Sequence, residues 1–200
     1  MKRLAAVAMC VLLTGCAEQS LIDDPTSPPT SAPATDADSG SQAFVFDSGV
    51  LEIGDFDLYT LGDDLFDPCT EITAEEFAAA GFDNVEPMPE EYAGLARGLS
   101  SCSFTKHPQV PSEVFGNTNA SKKDVEAEVD LLTEYGSQAL PSLFVYGPRG
   151  GIGTGCYAQV DTGRGGLVSE VGGADGFHRQ ETTCQIAIEN LENLHAAHSR

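Results

Sequence analysis

The sequence predicts an α+β fold, in which an antiparallel sheet has helices packed on one of its faces. Two β-favouring segments, 156–161 and 166–171, flank the glycine-rich turn 162–165 and have the pattern of a hairpin. Amphipathic helical patterns at 122–135 and 182–197 do not alternate with single strands, as they would in a parallel α/β fold. The predicted fold also includes two disulfides and a disordered N-terminal linker.

Two short strands and one helix are predicted in the first part of the domain. Segments 44–46 and 50–53 are β-favouring and flank a glycine turn. Thr73 and Glu76 have the spacing of a capping box, in which each side chain accepts a hydrogen bond from the other residue's backbone N–H. This box predicts a helix over about 74–80.

Further strand and helix signals follow along the chain. Apolar and polar residues alternate at the end of Leu99–Phe104, which predicts a strand. The prolines after it predict irregular structure. Ser121 is the predicted N-cap of the helix over 122–135. The apolar, β-favouring run Leu143–Tyr146 predicts the strand that precedes the hairpin.

Residues 1–15 have the features of a lipoprotein signal peptide. Met1-Lys2-Arg3 is basic, Leu4 to Leu13 is apolar, and Leu13-Thr14-Gly15-Cys16 resembles a lipobox. Ten apolar residues are too few to span a bilayer as a helix, which takes about 20. We therefore expect cleavage between Gly15 and Cys16 and lipidation of Cys16. The mature protein is then anchored at the extracytoplasmic face of the cell membrane through lipidated Cys16.

The chain after the signal peptide divides into a linker and one domain. Residues 16–42 carry the lipidated cysteine and a segment rich in Pro, Ser and Thr, whose composition predicts disorder. A flexible chain of this length reaches roughly 25–30 Å. Residues 43–200 are predicted to form a single globular α+β domain.

The chain is strongly acidic, with a formal net charge of −21 from ten Lys+Arg and 31 Asp+Glu. Removal of Lys2 and Arg3 with the signal peptide takes the mature charge to −23. Such a surface repels nucleic acid and anionic lipid headgroups, so membrane attachment requires the covalent anchor. Solubility explains the acidity more simply than an acidic docking surface does.

Four cysteines remain in the mature domain after Cys10 leaves with the signal peptide and Cys16 is lipidated. Because the chain is exported, an even number of cysteines predicts two disulfides. Three pairings are possible, and the favoured one links sequence neighbours: Cys69–Cys102 and Cys156–Cys184. A zinc site built from the four thiolates is the alternative, but the chain contains no C-x-x-C pair.

No sequence motif predicts a catalytic residue, a metal or a cofactor. Gly153-Thr154-Gly155-Cys156-Tyr157-Ala158 matches G-x-G-x-x-[GA], but a dinucleotide site needs that loop to open a helix, and here it leads into a strand. The chain has neither a P-loop nor a G-x-S-x-G serine-hydrolase motif. His195 and His198 have i, i+3 spacing and are expected at an exposed helix end rather than on a metal.

Together, the cysteines and their flanking residues resemble the DUF3558 family of actinobacterial, mycobacterial Lpr-like lipoproteins. The resemblance covers roughly residues 60–197 and the lipobox, with Asp67-Pro68-Cys69, Ser101-Cys102-Ser103-Phe104, Gly155-Cys156 and Thr183-Cys184 as its motifs. The family often has a Trp two residues after the second cysteine, where this chain has Phe104. The family is functionally uncharacterised, so the resemblance implies location and fold and supplies no active residues.

The first functional hypothesis is a membrane-anchored binding or scaffolding module, not an enzyme, for a partner protein or an envelope ligand. The second is an envelope hydrolase that uses a pair of acidic residues, with Glu90, Glu91, Glu170 and Asp175 among the unranked candidates. A deep apolar pocket with two converging carboxylates would favour the hydrolase. The third is a purely structural lipoprotein.

Overall fold

A computed structural model describes residues 42–89, 99–148, 155–173 and 179–199. These residues belong to one compact unit, Ser39–Arg200. The signal peptide, the cleavage site at Gly15 and Cys16, and nearly all of the linker lie outside the described residues, so their predictions stay predictions. Within the described ranges, no helix has both the length and the apolar character needed to cross a bilayer.

A six-stranded antiparallel sheet is the centre of the fold. Its strands lie in the order β3-β4-β5-β8-β7-β6. A separate hairpin precedes it along the chain. The strand bounds are β1 Ala43–Phe46, β2 Gly49–Glu52, β3 Glu86–Pro87, β4 Ser101–Phe104, β5 Ser112–Thr118, β6 Phe144–Tyr146, β7 Cys156–Thr162 and β8 Gly165–Gly172.

The predicted hairpin is present as β7 and β8. Thr162 lies opposite Gly165, so the turn consists of the two residues Gly163 and Arg164. Gly165 has a φ of +95°, and a Cβ there would lie 2.9 Å from the carbonyl oxygen of Thr118. Only glycine tolerates both conditions. The register of this turn fixes which side chains of β7 and β8 share a face of the sheet.

The described helices comprise four short ones and one long one. Their bounds are α1 Leu58–Leu61, α2 Pro68–Glu71, α3 Ala74–Ala79, α4 Lys122–Glu128 and α5 Gln180–Ala197. The predicted capping box is present at the start of α3, where Glu76 N–H donates to Thr73 Oγ1 and Thr73 N–H donates to Glu76 Oε2. Helix α5 packs against β7 and β8. The α+β class, with an antiparallel sheet and helix packing on one face, is thus confirmed.

Strand β5 lies in the middle of the sheet, although the sequence predicted irregular structure after Pro108 and Pro111. Its inward face carries two buried polar residues, Glu113 and Asn117, beside Phe115. Glu113 accepts hydrogen bonds from the backbone N–H groups of Lys106 and His107. These partners allow polar residues on a core-facing strand. The polar residues interrupt the hydrophobic pattern by which such a strand would be predicted.

Helix α4 ends at Glu128 and is therefore shorter than the predicted segment 122–135. The residues after it run along the edge of the sheet instead of continuing the helix. Leu132 N–H donates to Val145 O at 2.8 Å, and Leu131 forms an isolated bridge with Tyr146. The apolar spacing in this segment therefore reflects contact with β6 and not a third helical turn.

The β1–β2 hairpin packs against the C-terminal end of α5. Val45 N–H donates to His198 O at 2.6 Å, and Phe44 forms an isolated bridge with Ser199. His195 is buried, with its ring 5.2 Å from that of Phe44, and His198 Nε2 lies 2.9 Å from Glu76 O. The prediction that these histidines mark an exposed helix end is therefore wrong. The hairpin covers the end of the helix, a tertiary contact without a local signal.

The structure contains one of the two predicted disulfides. Cys156 at the start of β7 is bonded to Cys184 on α5, which joins the helix to the sheet. Cys69 and Cys102 are free thiols in contact with each other. The hydrogen bond with Cys69, followed by burial, raises the pKa of the fully buried Cys102.

Candidate functional site

The two faces of the sheet have different surroundings. On β8, Ser169 and Val171 point towards α5, where Asn190 Nδ2 donates to Ser169 Oγ. Because side chains alternate along a strand, Val168 and Glu170 point to the opposite face. A groove of about 280 Å³ lies on that face. We call it the sheet-face groove, and the residues that line it are Leu99, Ser100, Ser101, Val114, Gly116, Asn117, Thr118, Tyr146, Tyr157, Val168 and Glu170.

Two stacked tyrosines line one part of the sheet-face groove. Tyr146 on β6 and Tyr157 on β7 are cross-strand partners, and their rings are 5.2 Å apart at 11°. Tyr146 Oη donates to Gln159 Oε1 at 3.1 Å. Gln159 Nε2 in turn donates to Ala120 O and to Asp161 Oδ1. The buried Gln159 thus holds Tyr146 in place, so the groove has a rigid aromatic surface.

Glu170 supplies the carboxylate of the groove. It lies directly opposite Tyr157 in the β7–β8 pairing, and Tyr157 Oη donates to Glu170 Oε1 at 3.3 Å. Burial raises the pKa of Glu170, and the hydrogen bond from Tyr157 opposes that effect only in part. The same burial, together with the charge of Glu170, raises the pKa of Tyr157. Glu170 is therefore a partly desolvated carboxylate with incomplete compensation.

Small residues keep the middle of the groove open. Gly116 on β5 lies between Ser101 on β4 and Val168 on β8. A Cβ at Gly116 would lie 3.2 Å from the carbonyl oxygen of Ser100, which is closer than ordinary contact. Ser101 and Val168 add little bulk on either side. The result is a shallow cavity with an aromatic part, a carboxylate and a narrow polar rim.

The DUF3558 family model matches residues 11–196, which is most of the chain. The chain belongs to the DUF3558 family. The family is described as proteins of unknown function. No curated protein and no solved structure gives a significant match.

The acidic residues proposed for a hydrolase are not brought together among the described residues of this DUF3558 protein. Glu170 is in the sheet-face groove, whereas Glu90, Glu91 and Asp175 lie outside the described ranges. Within the described lining, Glu170 is the sole carboxylate. A general acid and base that converge on a substrate would need a second one. The pair of acidic residues predicted for a hydrolase is therefore not found among the described residues.

A second cavity of this DUF3558 protein, of about 380 Å³, lies along α5. Its four carboxylates are Glu134, Glu181, Glu189 and Glu192. The carboxylates form local contacts, such as the one between Gln185 and Glu189 on the helix surface. In the described ranges, no cluster of His, Cys, Asp and Glu has the geometry to hold a metal ion.

Sequence reasoning missed most of the groove. It named Glu170 only as one acidic residue among many, and it did not single out Tyr146 or Tyr157. A usable signal existed in the hairpin, because a two-residue turn at 163–164 pairs Tyr157 with Glu170. Strand alternation would then place both on one face. The neighbouring β6 and β5 could not be added without knowledge of the strand order.

Proposed function

We propose that this DUF3558 protein is a lipid-anchored binding module of the cell envelope, with the sheet-face groove as its ligand site. The groove is the observation that carries the proposal, since it combines a fixed tyrosine pair with one desolvated carboxylate. Ligand sites commonly pair an apolar or aromatic surface with a few polar groups. The lone carboxylate in the described lining favours binding over acid–base catalysis.

The proposed location depends on the N-terminal sequence. Leu13-Thr14-Gly15-Cys16 follows a basic segment and a short apolar run, and the family match begins at residue 11 and so includes Cys16. A diacylglyceryl group supplies two acyl chains, which anchor a protein far more stably than one chain. The net charge of −21 cannot supply a contact with anionic lipid. These features support an anchor at the extracytoplasmic face.

Replacement of Cys16 by alanine is expected to abolish lipidation and to move most of the protein from the membrane fraction to the soluble or unprocessed fraction. The reason is that the thiol of Cys16 is the proposed acceptor of the lipid. Metabolic labelling with a fatty acid and membrane fractionation measure the two effects. Cys10→Ala, which removes a cysteine from the apolar run, serves as the control and should leave both unchanged. Persistent labelling of Cys16→Ala would contradict the anchor.

Replacement of Ser101 by tryptophan should fill the groove and prevent ligand retention. Ser101 lies beside Gly116 in the groove, and the chain has no native tryptophan. Native mass spectrometry of the lipidated protein purified from its own envelope measures the retained ligand. Ser103→Trp, on the same strand but outside the groove lining, is the matched control. Retention should be lost in Ser101→Trp alone. Equal spectra, or no ligand on any of the three proteins, would favour a purely structural lipoprotein.

A further inference from the structure

The geometry points to an organic cation as the ligand of the sheet-face groove, with a guanidinium or ammonium group paired to Glu170 and held against the ring of Tyr157. This inference rests on the proposed function, because it names the chemistry of the ligand that the same groove would take. Three features of the groove favour such a ligand: the free capacity of the carboxylate, the aromatic surface beside it, and the charge around both.

The Glu170 carboxylate has capacity for a further donor. Within the described ranges it accepts one hydrogen bond, from Tyr157 Oη, and that bond is long at 3.3 Å. A carboxylate has two oxygens and about four acceptor positions. A guanidinium group can fill two of them with parallel N–H···O bonds, and an ammonium group can fill one or more. A partly buried carboxylate gains most from such a partner, because water compensates it poorly.

Tyr157 places an aromatic ring directly beside that carboxylate. Tyr146 stacks on Tyr157, and Gln159 fixes Tyr146, so the pair is ordered before any ligand arrives. Organic cations are attracted to the faces of aromatic rings, and more strongly where they are partly desolvated. A carboxylate next to an aromatic surface is thus a set of groups that selects an organic cation over a neutral molecule of the same shape.

The charge around the groove also favours a cation. Among the described lining residues, none is Lys, Arg or His, so an anionic ligand would meet Glu170 without compensation. The chain's net charge of −21 attracts cations and repels anions over longer distances. The titratable groups in the described lining are Glu170, Tyr146 and Tyr157. Both tyrosines have a raised pKa and stay neutral near pH 7, which leaves Glu170 as the group that decides binding.

Butylguanidinium and its neutral counterpart butylurea test this inference directly. Calorimetric titration of the full-length lipidated protein in detergent is expected to show that butylguanidinium binds about ten-fold more tightly than butylurea. Glu170→Gln should remove the preference, and Tyr157→Leu should weaken it. Glu126→Gln, which removes the same charge from an exposed position on α4, is the control and should retain the preference. Acidification that protonates Glu170 should also weaken the binding of butylguanidinium selectively.

The source of the cation is distinguished by a second probe, the tripeptide Gly-Arg-Gly with an acetylated N-terminus and an amidated C-terminus, whose sole charge is the guanidinium. Binding of the tripeptide as tightly as butylguanidinium assigns the cation to a protein side chain, and exclusion of the tripeptide assigns it to a free small molecule. Equal binding of butylguanidinium and butylurea overturns the inference, as does full cation binding by Glu170→Gln. If Ser101→Trp still abolishes retention of the native ligand in that case, the groove remains a binding site and only the ligand class is wrong.

Discussion

We expect Glu113→Gln to lower the free energy of unfolding by about 3 kcal/mol, although the substitution preserves size. Glu113 is 1% exposed, and its two oxygens face the backbone N–H groups of Lys106 and His107 and the ring Nδ1 of His107. A glutamine amide would direct its own N–H groups at some of these donors. Loss of one partner in a buried, charge-assisted network costs about 3–5 kcal/mol, and the retained carbonyl oxygen reduces that cost.

The loss of stability caused by Glu113→Gln should depend on pH and should be smaller in acid. Burial raises the pKa of Glu113, but the hydrogen bonds from His107 and Lys106 outweigh it, so the pKa is lowered in the folded state. The carboxylate therefore stabilises the protein above its unfolded pKa, which is about 4.3 for glutamate. That contribution decreases as the pH falls through the folded pKa. The difference in stability between wild type and Glu113→Gln should accordingly narrow in acid.

Urea unfolding followed by far-ultraviolet circular dichroism at several pH values measures both quantities. Glu126→Gln, at an exposed position, should change stability by less than about 0.5 kcal/mol at every pH. A difference for Glu113→Gln that stays constant from neutral pH to pH 3 would contradict the assigned role. So would a loss no larger than that of the exposed control.

Loss of the Cys156–Cys184 disulfide is expected to lower stability by about 3.5 kcal/mol. The bond closes a segment of 28 residues, and the loop-entropy estimate for that length gives this value. For a domain of this size, that corresponds to a fall in Tm of about 10 °C. The double variant Cys156→Ser and Cys184→Ser removes the bond, and calorimetry under non-reducing conditions measures the change.

Cys69→Ser is the matched control for the disulfide, because it removes one thiol without removing a bond in the structure. We expect it to cost less than about 1 kcal/mol, since Cys69 is only half-buried. A loss for Cys69→Ser comparable with that of the double variant would show that Cys69 and Cys102 are bonded in the purified protein. Thiol counting after denaturation, which should then find no free cysteine in the mature domain, checks the same point.

Local signals predicted the parts of the fold that local chemistry determines. The capping box of Thr73 and Glu76 and the turn at Gly163 and Arg164 depend on a few adjacent residues, and both are present. Strand β5 escaped prediction because Glu113 and Asn117 occupy core-facing positions, where Glu113 is bonded to the preceding loop and Asn117 to the distant Phe66. A polar residue signals exposure unless its partner is known, and the partner is a tertiary property.

The groove likewise combines features that local sequence predicts with features that depend on tertiary structure. Glu170 was visible in the sequence as a carboxylate, but its surroundings depend on the order of β5, β8, β7 and β6 in the sheet. Tyr157 could be paired with Glu170 from the hairpin register, whereas Tyr146 and Gly116 come from strands that join from elsewhere in the chain. Local patterns thus give the chemistry of single residues, and strand order gives the site.

The contact between the β1–β2 hairpin and the end of α5 brings together the first and the last elements of the described domain. Val45 N–H donates to His198 O on this side, and Glu52 O at the end of β2 accepts from Gly163 N–H in the β7–β8 turn. The hairpin is therefore bonded to the last helix and to the six-stranded sheet at the same time. Removal of β1 would therefore uncover the buried ring of His195 and release the C-terminal end of the final helix.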